Sequence, residues 1–163
     1  MSCSVHPVSN EAPQVELIPR VTAEHIHLRA VLHSRSTRPV ALVDHPEFSR
    51  LLASPKKASD TLLGCSFRAS PRAEWNQVKM LPAGQTLVLE TTIPYLRRTD
   101  GTWVMTVDYG AGNSGVYTTR HPQCVATFQY SFDRKSKPLF WWLSGKTFLT
   151  TPLQANQVFQ LKP

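Results

Sequence analysis

Residues 99–109 read TDGTWVMTVDY, and whether Asp100-Gly101 is a hairpin turn or the rim of a reactive site decides how the rest of the chain is understood. Downstream of the glycine, Trp103, Met105, Val107 and Tyr109 fall on one face of an extended chain and Val104, Thr106 and Asp108 on the other, because successive strand side chains point to opposite faces. Upstream, TLVLETTIPY (86–95) puts Leu87, Leu89, Thr91 and Ile93 on one face. Two period-two runs parted by an Asp-Gly step are the signature of a β-hairpin. Asp100-Gly101 is therefore read as a turn, and 103–109 as a central strand.

The same alternation recurs on both sides. In TAEHIHLRAVLH (22–33), Ile26, Leu28, Ala30 and Leu32 alternate with His25, His27, Arg29 and His33, which reads as a half-buried strand. Val15 to Ile18 reads as a first strand closed by Pro19, and PVALV (39–43) as a short strand buried on both faces. PEFSRLLA has proline at a first helical position with Phe48, Leu51 and Leu52 on one side, so a short helical turn is expected near 46–53. The apolar knot at 62–67 reads as a short edge strand, and 75–81 as a strand ahead of the Pro82-Ala83-Gly84 turn. GAGNSG (110–115) reads as a hairpin loop, and VYTT, CVATFQYSF, PLFWWLSG, KTFLTT and QVFQL as further strands. About eight to ten short strands with turn signals between them, and no crossover helices, specify an all-β antiparallel sandwich or barrel and exclude a parallel α/β fold. Its core is expected to include Leu28, Val40, Leu42, Leu87, Leu89, Trp103, Met105, Val107, Phe128 and Tyr130.

The segment LPAGQTLVLETTIPYLRRTDGTWVMTVDY (81–109) opens one strand with Leu-Pro-x-Gly-x-Thr and the next with Asp-Gly-Thr-aromatic. In this it resembles immunoglobulin-like sandwiches, whose aromatic packs across a corner between two strands above the turn. Trp103 stands where tyrosine is usual. With RSTRPVALV (35–43), residues 15–109 resemble the immunoglobulin-like modules of the intracellular proteinase inhibitor family and of accessory domains of secreted proteases. The resemblance implies a single antiparallel immunoglobulin-like β-sandwich with one short helical turn. It also implies a non-catalytic protein-binding role of inhibitor, immunity or secretion-accessory type, exercised through loops or an edge strand.

Composition sets the outer limits. The chain has 163 residues, 41% hydrophobic and 18% charged, enough for one domain with a core of its own. Thirteen prolines against seven glycines speak for many short elements. Residues 1–13 read as a flexible tether and 14–163 as the sandwich domain. The net charge of +7 permits an anionic partner such as nucleic acid or a glycan, although the basic residues are scattered. No segment is apolar enough to span a membrane. The chain reads as soluble, either cytoplasmic or exported with its leader removed. Cys3 is then a lipid-anchor position or part of a frayed terminus. Cys65 and Cys124 either pair in an exported protein or stay reduced in the core.

Three groupings carry candidate chemistry. His25 and His27, with His33 beyond, project side by side as in His-x-His metal sites; a third ligand would have to come from His45, His121, Asp108 or Glu90. The alternative is a solvent-facing polar strand face. Arg134, Lys135 and Lys137 precede Phe140-Trp141-Trp142, and cations beside an outward Trp141 suit a polyanion such as single-stranded nucleic acid. No GxSxG, HExxH or P-loop occurs, and Cys124 has no base beside it. No catalytic residues and no cofactor are therefore expected. The leading expectation is a protein partner, ahead of an anionic ligand at 134–142 and a metal at His25 and His27.

Overall fold

A computed structural model of the protein describes residues 12–65, 78–110, 112–132 and 148–163. Among them the chain forms eleven strands: β1 (Gln14–Val21), β2 (His25–His33), β3 (Val40–Val43), β4 (Ser49–Pro55), β5 (Asp60–Cys65), β6 (Val78–Leu81), β7 (Thr86–Arg97), β8 (Trp103–Gly110), β9 (Asn113–Thr119), β10 (Gln123–Tyr130) and β11 (Leu153–Gln160). They build a six-stranded sheet in the order β1-β2-β7-β8-β9-β5, a three-stranded sheet β11-β10-β4 and a two-stranded sheet β3-β6. Every strand pair is antiparallel. A single parallel bridge, Ala41 with Phe148, lies outside the strands. The expected tether, residues 1–13, falls almost wholly outside the described residues.

The opening stretch folds as its sequence dictates. Gly101 N–H donates to Arg98 O at 3.0 Å and Arg98 N–H to Thr102 O at 2.8 Å, closing a three-residue hairpin loop. Gly101 takes φ 87°, the left-handed conformation that such a loop requires and that glycine adopts without strain. The Asp100 carboxylate accepts from Thr102 N–H at 2.9 Å and Thr102 Oγ1 at 2.7 Å. These bonds hold its pKa below the usual carboxylate value, the side-chain bond foremost. Trp103 is buried, carries the Arg97 guanidinium 4.8 Å above its ring, and donates from Nε1 to Lys162 O.

The sheets pack face to face in a sandwich-like arrangement. One core cluster joins Ile26 and Leu28 of β2, Ile93 and Tyr95 of β7, and Met105 and Val107 of β8 to Ala53 of β4 and to Cys124 and Ala126 of β10. A second gathers β3, Phe48, Leu81, Phe128, Tyr130 and Phe148. Nine of the ten residues expected in the core are buried; Leu87 alone is half-buried, packed against the cluster's edge. Cys124 is a free, fully buried thiol.

The helical turn expected at 46–53 shrinks to one turn. Phe48 and Ser49 N–H both donate to His45 O at 2.8 Å, and Glu47 N–H donates to His45 Nδ1. From Ser49 the chain is instead strand β4, paired with β10 from Ser49↔Tyr130 to Pro55↔Cys124. So short a helix has little stability of its own, and pairing along a whole strand outweighs it. Phe48 stays in the turn, edge-on to Phe132 at 5.1 Å. Pro19 lies within β1 rather than ending it, because an edge strand tolerates a missing donor on its outer side. GAGNSG is mostly strand: β8 runs to Gly110 and β9 begins at Asn113.

One irregularity shapes the surface. Backbone groups in an antiparallel strand face its two neighbours alternately. Tyr95 N–H donates to Glu24 O and Ser34 N–H to Gln85 O, while Arg98 N–H donates to Thr102 O. Odd-numbered residues of β7 therefore bond toward β2 and even-numbered ones toward β8. Pro94 is even and has no N–H to give β8. The β7–β8 ladder duly ends at Tyr95↔Met105, and the two strands diverge beyond it.

Candidate binding surfaces

The six-stranded sheet is wider than the layer covering it, and the excess lies at β5. In the inward-facing row Val107↔Gly115↔Leu63, Val107 is 1% exposed and Leu63 is 70% exposed. The covering layer ends between them. Leu62, on the opposite face, is 71% exposed. Two adjacent leucines on an edge strand necessarily leave one on each face. β5 (DTLLGC) has no proline and no cation, the usual devices that keep an edge from pairing with another chain. The opposite edge, β1, carries Pro19 and the charges of Glu16 and Arg20.

The outer face of β1, β2 and β7 mixes polar side chains with the exposed Ile18, Val88 and Leu96. His25 and His27 are half-buried with ring centroids 6.0 Å apart, and His27 Nδ1 lies 3.1 Å from Thr92 Oγ1. Further along, Arg29 pairs with Glu90 at 2.9 Å, and His33 Nε2 lies 3.3 Å from Glu16. Of the proposed third ligands, Glu90 is engaged by Arg29. His45 is buried in its turn, where Nδ1 accepts from Glu47 N–H. His121 sits at the exposed β9–β10 turn, and the Asp108 carboxylate accepts from Gly110 N–H. Among the described residues no three His, Cys, Asp or Glu side chains group as a metal site would require.

Burial pushes the Cys124 thiol up to about 12, the reverse of the lowered pKa that a nucleophilic cysteine needs. Asp44, half-buried beside the cleft described below, is raised by desolvation, partly offset by Lys79 and His45. Arg134, Lys135, Lys137 and Trp141 lie outside the described residues. No helix among the described residues is long and apolar enough to cross a membrane.

The class defined by these features is an all-β, antiparallel, sandwich-like domain whose most distinctive surface is the outer edge of β5, with which no other strand among the described residues pairs. Compared with known protein families, curated proteins and solved structures, the chain has no match.

Proposed function

We propose that the protein is a non-catalytic protein-binding module whose partner pairs with β5 and covers the overhanging leucines. The observation that carries this is the exposure of Leu62 and Leu63 on an edge strand whose single charge, Asp60, lies at its first residue and which has neither proline nor cation. Main-chain pairing supplies affinity there without demanding a particular sequence. Full burial of a leucine adds roughly 1.5–3 kcal/mol. The immunoglobulin-like relationship to inhibitor and protease-accessory modules belongs to the same proposal, supported by the Asp100-Gly101 turn and the buried Trp103 that opens the strand after it.

The test is an untagged pull-down from the source lysate at low and high salt, run in parallel with Leu63→Lys. One stoichiometric protein recovered at both salts and lost from the variant supports the reading. Recovery of polyanions alone, lost at high salt as counterion release requires, would transfer the function to an anionic ligand. Equal recovery by both proteins would remove β5 from it.

A further inference from the structure

Where β7 and β8 part company below Pro94, they leave a cleft of about 360 Å³. One wall is Leu89 to Thr92 of β7, the other is Asp108 to Gly110 of β8, and β4 contributes Leu51 and Leu52. By the alternation set out above, Glu90 and Thr92 direct their backbone N–H and C=O away from β2 and into this opening. Among the described residues neither has a backbone partner on that side. A sheet edge bordering a cleft is unlike an outer edge, because a strand added there gains apolar contacts with the opposite layer as well as main-chain bonds.

Charge narrows the occupant. The chain carries a net +7, yet the cleft is bordered by the carboxylates of Asp44, Glu90 and Asp108 against one guanidinium, Arg50. Glu90 is already paired with Arg29. Arg50 donates from Nε to Pro46 O. Among the described residues Asp108 makes one side-chain bond, to Gly110 N–H, which leaves its second oxygen for a ligand. Asp44 is a partly desolvated carboxyl whose raised pKa Lys79 and His45 offset only in part, so a further cation beside it would favour its charged form.

We propose that this cleft is a second binding site, which takes an extended peptide segment of a partner protein paired with β7 over 88–92, its apolar side chains on Leu51 and a cationic side chain against Asp108 and Asp44. The site is separate from β5, so the two readings stand or fall independently.

The test uses the full chain and a synthetic peptide of about ten residues alternating leucine with threonine around one central arginine, matched to the period of a strand. Amide exchange is followed with and without peptide. The free protein should exchange rapidly at Glu90 and Thr92, and saturating peptide should protect both. Thr92→Pro removes a donor facing the cleft while leaving the β2 ladder intact, as Pro94 already does two residues on, and should weaken binding about tenfold or more. Asp108→Asn keeps the acceptor for Gly110 N–H and removes the charge, and should weaken binding by about threefold to tenfold at low salt and less at high salt. Leu63→Lys should bind the peptide like the wild type. Slow exchange at Glu90 and Thr92 in the free protein would overturn the proposal, and so would peptide protection confined to β5. A folded Thr92→Pro protein that binds with unchanged affinity would overturn it too.

Discussion

β7 has two unlike edges. Toward β2 it is paired without a break from Thr86↔His33 to Pro94↔His25. Toward β8 it is paired over only three residues, Tyr95 to Arg97. The same strand, with one hydrophobic pattern, is thus closed on one side and open on the other. The side of the strand on which a single missing N–H falls accounts for where the pairing stops. Proline in a strand is a directional element: harmless toward the neighbour it never bonded, and decisive toward the other.

The largest expected effect comes from moving that missing donor to the closed side. Thr91→Pro removes a bond to β2 and should destabilise the fold by about 3 kcal/mol or more, whereas Thr92→Pro should change stability by less than about 1 kcal/mol. Urea unfolding of the two variants checks the pair, and equal losses would break the comparison. Next comes the closed end of the cleft. Gly110 has φ 78°, and a Cβ there would stand 2.4 Å from Pro46 Cβ. Gly110→Ala should cost on the order of 1–3 kcal/mol and loosen the 45–49 turn, read as a lower midpoint of thermal unfolding.

A pH effect follows from Cys124, in the core behind both edges. An unfolded thiol titrates near 8.5, while burial pushes this one up to about 12. The unfolded chain therefore loses its proton first. The stabilisation is fully present below about pH 8.5 and is lost as pH rises from there toward the folded value. Between about pH 8 and 9.5 the urea midpoint should fall in the wild type and stay flatter in Cys124→Ala. The smallest change is expected from Pro94→Ala. It regains one ladder bond and loses the restraint on the unfolded chain, so stability should move by no more than about 0.5 kcal/mol. Yet exchange at residue 94 should be slow, and the cleft peptide should bind less well. Fast exchange there would show that something other than the missing donor holds the strands apart.

How much of this the sequence discloses depends on how local the cause is. The alternation in β2 and β8 and the Asp100-Gly101 turn are set by neighbours in the chain, and their reading carries over to the structure. In β4, Phe48, Leu51 and Leu52 fit a helical face over a run too short to distinguish helix from strand; its pairing partner, β10, lies about seventy to eighty residues away, a separation no local pattern reports. The edge strand at β5 is legible, but the 70% exposure of its inward Leu63 is not, because that depends on where the opposite layer ends among the described residues. The adjacent pair Leu62-Leu63, with no polar alternation, was the one available signal. The cleft could be anticipated only from the parity of Pro94 within its strand, which requires knowing which neighbour the strand bonds on each side.

The Asp100 turn also has a consequence in time. The β7–β8 hairpin is closed by residues a few positions apart, and hairpins form in about 1–10 μs, whereas pairing β2 with β7 must close a loop of some fifty residues or more. The two strands should meet first at Arg98 and Thr102 and zip toward Pro94, where the ladder stops. The cleft is then laid down before the sheet that surrounds it. Asp100→Ala, which removes both bonds to Thr102, should slow refolding more than it speeds unfolding, while Leu161→Ala at the far end of the chain should do the reverse. Stopped-flow traces that rank the two variants the other way would place the nucleus elsewhere. Acid should act on the same step, because the lowered pKa of Asp100 means that its carboxylate supports the turn until pH falls through that value.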